Sequence, residues 1–258
     1  MKKEHMTVGA IREIAHRIYE MKLFGTIATE VKMPGQFLHI LPSHQLQPLL
    51  RRPISISHVN QEEKELTIVF RREGEGTTLL ANKTPGDTVD VLGPLGNGFQ
   101  VEEVSAGDSV LIVGGGVGVP PLYDLARALK EREANVTTVL GFENKEAMFY
   151  EKAFQSFGEV FVSTVDGSIG TKGFVTDVIQ EKNISFDRLY ACGPVPMLKA
   201  LETNYPEAVG SLSLEIRMGC GIGACFACVC HVQGDASGHD YRKVCSDGPV
   251  FPWREVVL

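Results

Sequence analysis

The sequence predicts a β-barrel followed by an α/β domain: an N-terminal antiparallel barrel, a doubly wound parallel α/β domain and a small C-terminal cysteine module. Three observations carry this prediction. Short apolar stretches separated by turn-forming residues fill the first hundred positions, strands alternate with helical stretches after residue 101, and five of the six cysteines follow residue 216. The expected boundaries are residues 1–101, 102–216 and 217–258.

Five stretches in the first part of the chain have the composition of β-strands. Each combines apolar or β-branched residues and is bounded by turn-formers, a spacing that predicts a small antiparallel barrel. The stretches are Phe24–Ala28, Gln36–Ile40, Ile54–Ser57, Glu65–Phe70 and Thr88–Leu92. Two prolines and several leucines predict a loop around residues 42–50.

Strands and helices alternate in the second part of the chain. Ser109–Val113 is typical of a buried strand, and a helix is expected to begin near Pro120 or Pro121, because proline is tolerated in the first turn. The remaining predicted strands are Asn135–Leu140, Glu159–Thr164, Arg188–Ala191 and Ser211–Ile216, and helices are predicted around Phe174–Gln180 and Pro196–Leu201. This regular alternation predicts a parallel, doubly wound sheet.

A glycine-rich turn follows the first strand of this sheet and precedes its first helix, which is the context of a phosphate-binding turn. Gly114 and Gly116 match the first two glycines of the dinucleotide fingerprint, and Gly118 follows, but Val119 occupies the third position. A glycine-rich turn without a ligand therefore stays open as an alternative.

An acidic residue follows the next strand of the predicted sheet. Glu143 could accept hydrogen bonds from ribose hydroxyls and disfavour a 2′-phosphate, which favours NAD over NADP. The neighbouring Lys145 weakens that argument because its charge would attract a phosphate.

Four cysteines near the C-terminus have the spacing C-x4-C-x2-C-x16-C, formed by Cys220, Cys225, Cys228 and Cys245. This is the order of plant-type [2Fe–2S] proteins, and the glycines of residues 218–228, here called the cysteine loop, allow backbone N–H groups to approach sulfur. A structural zinc site is the alternative, although only one CxxC unit is present. A Rieske centre would need two suitably placed histidines.

Two further cysteines have no assigned role in that pattern. Cys230 follows Cys228 by two residues, so on an extended segment both would point to the same side, and an exchange of ligand between them stays open. Cys192 stands alone and is expected to be buried or to line an active site.

Composition limits the classes of function. The chain has 258 residues, enough for two or more domains, and its net charge of −7 disfavours nucleic acid or an anionic membrane as a partner. It contains no run of about 18 apolar residues and no N-terminal signal pattern. Cysteines without an export signal are typical of a reducing cytoplasm, so we expect a cytoplasmic protein.

Taken together, the motifs resemble the ferredoxin–NADP reductase superfamily. They occur in this order: Arg52-Pro53-Ile54-Ser55, Gly76-Thr77, residues 93–99, residues 114–118, Cys192-Gly193-Pro194 and the cysteine loop with residues 245–251. Within the superfamily the chain is most similar to the electron-transfer subunits of NAD-dependent (type B) dihydroorotate dehydrogenases. The similarity covers essentially the whole chain, and its most specific part is the cysteine module.

This resemblance implies a set of binding residues. FAD would contact Arg52, Pro53, Ile54, Ser55, Val69, Phe70 and Arg71, with its pyrophosphate at Gly76 and Thr77; the nicotinamide nucleotide would bind at Gly114, Gly116, Gly118, Glu143, Cys192 and Gly193; and Cys220, Cys225, Cys228 and Cys245 would hold a [2Fe–2S] cluster. The wider superfamily has a tyrosine where this chain has Ile54, which leaves open what covers that face of the flavin.

The resemblance also implies an oxidoreductase subunit without acid–base catalytic residues. Electrons from an FMN-bearing catalytic subunit that oxidises dihydroorotate, in pyrimidine biosynthesis, would pass through the cluster and FAD to NAD+, in a heterotetramer of two plus two chains. Reductase subunits of sulfite reductases, hydrogenases or ferredoxin:NADP oxidoreductases are an alternative with the same module order. A zinc-stapled binding module without catalysis is the alternative from a different class.

Overall fold

A computed structural model describes residues 1–43 and 47–258 of the chain. A closed six-stranded barrel comes first, followed by a seven-stranded sheet with helices and a two-stranded sheet near the C-terminus. Of the loop predicted around residues 42–50, positions 44–46 lie outside the described residues, and positions 47–50 contain neither helix nor strand. Among the helices of the described part, none is long and apolar enough to cross a membrane.

The barrel closes in the strand order β1-β2-β5-β4-β3-β6, and all neighbouring strands are antiparallel. Its strands are β1 (Lys2–Ala15), β2 (Ile18–Phe24), β3 (Phe37–Leu41), β4 (Arg52–Asn60), β5 (Glu65–Arg71) and β6 (Thr88–Leu95). The predicted strand Phe24–Ala28 is wrong, because β2 ends at Phe24 and a 3-10 helix, Thr26–Glu30, follows. There the carboxylate of Glu4 accepts hydrogen bonds from the Thr26 and Ile27 N–H groups, which holds the helical turn.

The second sheet has the order β10-β9-β8-β7-β11-β12-β15. Its strands are β7 (Ser109–Gly115), β8 (Asn135–Phe142), β9 (Gly158–Thr164), β10 (Thr171–Lys172), β11 (Arg188–Cys192), β12 (Gly210–Ser213) and β15 (Val250–Pro252). From β7 the chain proceeds outwards to β10 and then restarts at β11 on the other side, so the sheet is doubly wound. The carboxyl ends of β7 and β11 therefore flank the switch point where such sheets bind ligands.

The described residues contain five α-helices, one between barrel strands β5 and β6 and four in the sheet domain. They are α1 (Glu75–Ala81), α2 (Pro121–Glu131), α3 (Glu151–Phe154), α4 (Val175–Glu181) and α5 (Val195–Asn204). Helix α2 begins with Pro121, whose fixed φ and missing N–H suit the first helical position. Helix α1 occupies the stretch where the sequence suggested only a Gly-Thr turn.

The C-terminal segment joins the other two parts rather than standing apart. The predicted strand Ser211–Ile216 is too long: β12 ends at Ser213, and residues 214–218 form an irregular connector to the cysteine loop. Strands β13 (Val229–His231) and β14 (Tyr241–Lys243) then form a hairpin, and β15 returns to pair antiparallel with β12. The segment that contains the cysteine loop and the hairpin is thus attached to the large sheet at both of its ends, through β12 and β15.

Three apolar clusters hold the fold together. One fills the barrel, and the other two lie against the large sheet. The second sheet cluster also contains Cys228 and Cys245 of the cysteine module and Phe37 and Leu95 of the barrel. The three parts of the chain therefore meet in one buried region.

Candidate functional site

The four thiols predicted to bind a cluster lie together in two neighbouring pairs. The side chains of Cys220 and Cys225 interact with each other, and those of Cys228 and Cys245 do the same. The N–H groups of the consecutive residues Gly223 and Ala224 donate to the Sγ atoms of Cys245 and Cys220, so the two pairs are close to one another. A [2Fe–2S] cluster is held by four cysteines, and two pairs of thiols provide a fitting donor set.

Backbone N–H groups of the cysteine loop point at these sulfur atoms. Ile222 and Ala224 donate to the Sγ of Cys220 at 3.4 and 3.3 Å, and Gly223 donates to the Sγ of Cys245 at 3.1 Å. Although burial acts in the opposite direction, such hydrogen bonds lower the pKa of Cys220 and favour its thiolate, the form that binds metal. Gly223 has φ +80°, so the loop needs a residue without a side chain there.

A single zinc ion is the alternative group for these thiols. Zinc requires four ligands around one point. In the described part of the chain, no three His, Cys, Asp or Glu side chains surround a point that could hold a single metal ion. Cys230 lies in the hairpin strand β13, and its Sγ contacts the carbonyl oxygen of Arg242 at 3.6 Å.

A pocket on the barrel, here called the barrel pocket, gathers most of the predicted flavin residues. Strands β4 and β5 and the connector to the cysteine loop all contribute residues to its lining. The lining residues are Phe37, Arg52, Pro53, Ile54, Ser55, Val69, Phe70, Arg71, Glu73, Thr77, Val117, Leu214, Glu215, Ile216, Met218 and Pro249. All the predicted flavin residues except Gly76 are among them.

Arg52 lies across the start of helix α1, where the sequence suggested a pyrophosphate site. A Cβ atom on Gly76 would lie 2.6 Å from Nε of Arg52. The guanidinium can therefore pack against this turn only because residue 76 has no side chain. The hydroxyl of Thr77, expected to meet a phosphate, instead accepts hydrogen bonds from the N–H groups of Glu73 and Gly74. It closes the turn, and the guanidinium is the charged group beside it.

The wall formed by residues 214–218 was not foreseen from the sequence. Leu214, Ile216 and Met218 line the barrel pocket together with Ile54, and no local pattern marks them, because their position depends on how the chain returns to the barrel. Glu215 lines the same pocket with a residue surface that is exposed to solvent, and the dense protein around the pocket raises the pKa of its carboxyl to about 7 by desolvation, opposed by the charge of Arg71.

A second cavity, here called the sheet cavity, has a volume of about 400 Å³ at the carboxyl ends of the sheet strands. Gly116 and Glu143, both predicted nucleotide residues, line it together with Gly115 and Pro194. Gly116 has φ +52° and faces Arg71. The cavity thus lies at the switch point between β7 and β11.

The other predicted nucleotide residues lie behind the wall of this cavity. A Cβ on Gly118 would lie 2.4 Å from the carbonyl oxygen of Cys192, and one on Gly193 would lie 2.6 Å from Met197. Gly114 packs against Val119, and Cys192 is completely buried, which raises the pKa of its thiol well above the usual value. These residues allow close packing of the turn, while their neighbours face the cavity.

The two cavities share one residue. Arg71, the last residue of β5, lines both the barrel pocket and the sheet cavity. Met218 lines the barrel pocket two residues before Cys220. The sheet cavity, the barrel pocket and the cysteine loop are therefore contiguous, in that order.

Two family models match separate parts of the chain. A model described as the iron-sulfur cluster binding domain of dihydroorotate dehydrogenase B matches residues 215–257. Another, described as an oxidoreductase NAD-binding domain, matches residues 112–203. The first covers the connector, all four thiols and β15, and the second covers the turn, Glu143 and Cys192.

Curated proteins are similar over the full length. Those of Bacillus cereus (strain AH187), Bacillus anthracis (strain CDC 684 / NRRL 3495) and Bacillus thuringiensis subsp. konkukian (strain 97-27) are each 57% identical over 258 residues, covering 100% of both chains. Each is named "Dihydroorotate dehydrogenase B (NAD(+)), electron transfer subunit".

Solved structures agree in fold. One from a study of flavin-based electron bifurcation, an NADH-dependent reduced ferredoxin-NADP oxidoreductase, has 33% identity and a TM-score of 0.85, covering 98% of this chain and 89% of that chain. The ferredoxin reductase in carbazole 1,9a-dioxygenase has 22% identity and a TM-score of 0.67, covering 79% and 64%. The second similarity concerns the fold alone.

Proposed function

The chain belongs to the family of dihydroorotate dehydrogenase B (NAD(+)) electron transfer subunits, and we propose that it carries electrons from a dihydroorotate-oxidising catalytic subunit to NAD+. It is an oxidoreductase subunit, and the substrate is oxidised on the partner chain. Its groups are a [2Fe–2S] cluster, FAD and NAD. When bound, FAD connects the one-electron chemistry of the cluster with the two-electron chemistry of the nicotinamide.

The single observation that carries this proposal is the contiguity of the three sites. Arg71 borders both the sheet cavity and the barrel pocket, and Met218 borders the barrel pocket and leads to Cys220. With NAD in the sheet cavity, FAD in the barrel pocket and the cluster at the thiols, each group is next to the one with which it exchanges electrons. No proton-transferring side chain has to act between them.

The residues divide the work of binding. Arg52 would donate to the FAD pyrophosphate, Ile54 and the connector residues would line the site of the flavin ring, and Glu143 would accept hydrogen bonds from a ribose. The N–H groups around Cys220 neutralise part of the charge on sulfur and thereby affect the cluster's reduction potential.

The partner is proposed to be an FMN-bearing catalytic subunit in a cytoplasmic heterotetramer of two plus two chains. The cysteine module offers a contact surface, because five of its large apolar side chains are exposed: Ile222, Phe226, Val229, Tyr241 and Val257. Exposed apolar residues that cluster in one region are typical of protein interfaces. Electrons then enter next to the thiols.

The proposal is tested on protein purified anaerobically after co-expression with the candidate catalytic subunit. We expect flavin absorption, about two irons and two acid-labile sulfides per chain, and NAD+ reduction that depends on dihydroorotate. Zinc in place of iron, without flavin, would refute the proposal and favour a structural module.

A second candidate within electron transfer is a subunit of an NADH-dependent ferredoxin-NADP oxidoreductase, which is favoured by the structure of 33% identity over 98% of the chain. The two candidates differ in the partner. Co-purification of a large subunit and reduction by ferredoxin instead of dihydroorotate would select the second candidate.

A further inference from the structure

The outer face of β3 connects the barrel pocket to the cysteine loop. Phe37 lines the barrel pocket, and His39 shares its face of the strand because side chains alternate along a strand. Leu38 and Ile40 point the other way and belong to the barrel core. His39 is 0% exposed, so the outer face is covered at this position.

The cysteine loop is what lies against His39. A Cβ atom on Gly221 would lie only 2.6 Å from Nδ1 of His39, so the contact between ring and loop requires glycine. Gly221 also has φ +73°, a conformation that suits glycine. The ring of His39 therefore contacts the residue of the loop that directly follows Cys220.

The imidazole has two buried nitrogen atoms without a well-formed hydrogen bond. Neither Nδ1 nor Nε2 of His39 has a partner at hydrogen-bond geometry among the described residues. Burial lowers the pKa of this ring to about 4, with the charge of Arg51 acting in the same direction, and the nearby backbone of Cys220 and of Arg51 opposes this only in part. In either protonation state an imidazole has at least one N–H donor, and buried polar groups are nearly always paired. The missing partner points to a group bound at the loop.

We propose that His39 is a positioning residue for the iron–sulfur cluster, holding the cysteine loop on the barrel and raising the cluster's reduction potential through its N–H donor. This inference rests on the proposed function. Donors near the sulfur atoms stabilise the reduced cluster, which carries more negative charge. Arg51 fixes the strand beneath the ring, because its Nη1 donates to the carbonyl oxygens of His39 and Asp90 at 3.1 and 3.0 Å.

The test is a redox titration of the cluster, followed by electron paramagnetic resonance, in the complex with the catalytic subunit. His39→Leu keeps bulk but removes the donor, and we expect the equilibrium constant for cluster reduction to fall about tenfold, or about 59 mV for one electron. His39→Gln keeps an N–H donor and should stay near the wild-type potential. Ile40→Val is the matched control on the opposite face of β3 and should not shift it.

An unchanged potential in His39→Leu with the cluster intact would overturn the proposal, as would equal shifts in the Leu and Gln variants. Loss of the cluster from both variants would show that the ring holds the loop for assembly and does not act as a donor, and would overturn the effect on the potential. Iron and sulfide are first measured in the wild-type complex. A wild-type complex without a cluster refutes the proposed function, whereas an unshifted variant with a cluster refutes only the role of His39.

Discussion

The cysteine module, which contains the cysteine loop and Cys245, and the barrel pocket are built in different ways. In the module, four thiols and a few backbone N–H groups would hold the cluster, and glycines give the backbone its shape. The barrel pocket is lined by sixteen residues from the barrel, the sheet domain and the C-terminal segment, and these residues would share the contact with the flavin. Removing one thiol should therefore abolish cluster binding completely, whereas removing one side chain of the barrel pocket should weaken flavin binding only in part.

The same difference applies to what surrounds each site. The loop has a buried side against the barrel, at His39, and an exposed side with large apolar residues such as Phe226. The barrel pocket lies between parts of one chain and needs no partner to form its walls. We infer that the flavin site is completed by folding and that the outer side of the cluster site is completed by assembly.

The largest expected effect comes from removing one thiol. Cys225→Ala should abolish the cluster but leave FAD bound, because the thiol contacts Cys220 and does not line the barrel pocket. Iron, sulfide and flavin contents of the purified variant measure this. Loss of flavin together with iron would contradict the separation of the two sites. Cys230→Ala is the matched control and should keep the cluster if Cys228 is the ligand.

A smaller effect is expected on the exposed side of the loop. Phe226 has φ +57°, and its ring lies 5.5 Å from that of Tyr241 and 4.3 Å from the Nζ of Lys243. Phe226→Asn keeps a residue that tolerates this backbone and removes the ring, which should weaken binding of the catalytic subunit roughly tenfold to a hundredfold. Titration by calorimetry measures the affinity. Val209→Asn, which alters an equally exposed residue outside the module, should have no effect.

Most of the fold could be predicted from local patterns. The strands of the sheet alternate with helices, and their buried runs are recognisable, but β1 is not, because only Met6 and Val8 are buried among its 14 residues. The thiols were identifiable because a cluster imposes a spacing on sequence. The connector wall and the contact of His39 with Gly221 depend on the return of the chain to the barrel. The spacing of residues in the sequence does not predict this long-range packing.

Within the barrel pocket, Arg52 should be the most influential single side chain. Arg52→Ala removes the guanidinium next to Gly76, and a charge-assisted hydrogen bond contributes about 1.5–3 kcal/mol, so FAD affinity should fall at least roughly tenfold. Flavin retained after dialysis measures the change. Arg72→Ala, at a neighbouring cation outside the pocket lining, serves as the control. Equal flavin retention in both variants would contradict the phosphate clamp.

The smallest expected effect is a dependence of FAD affinity on pH. Glu215 lines the barrel pocket, and its pKa is raised to about 7, so the carboxyl is mostly neutral below pH 7 and ionised above it. A bound flavin would cover this group, and covering an ionised carboxyl costs more than covering a neutral one. FAD affinity should therefore fall as pH rises from 6 to 8, by less than about tenfold, because Arg71 offsets part of the cost. Fluorescence titration at several pH values measures this dependence. The FAD affinity of Glu215→Gln should not change between pH 6 and 8. If this variant keeps the pH dependence of the wild-type protein, another group is responsible for it.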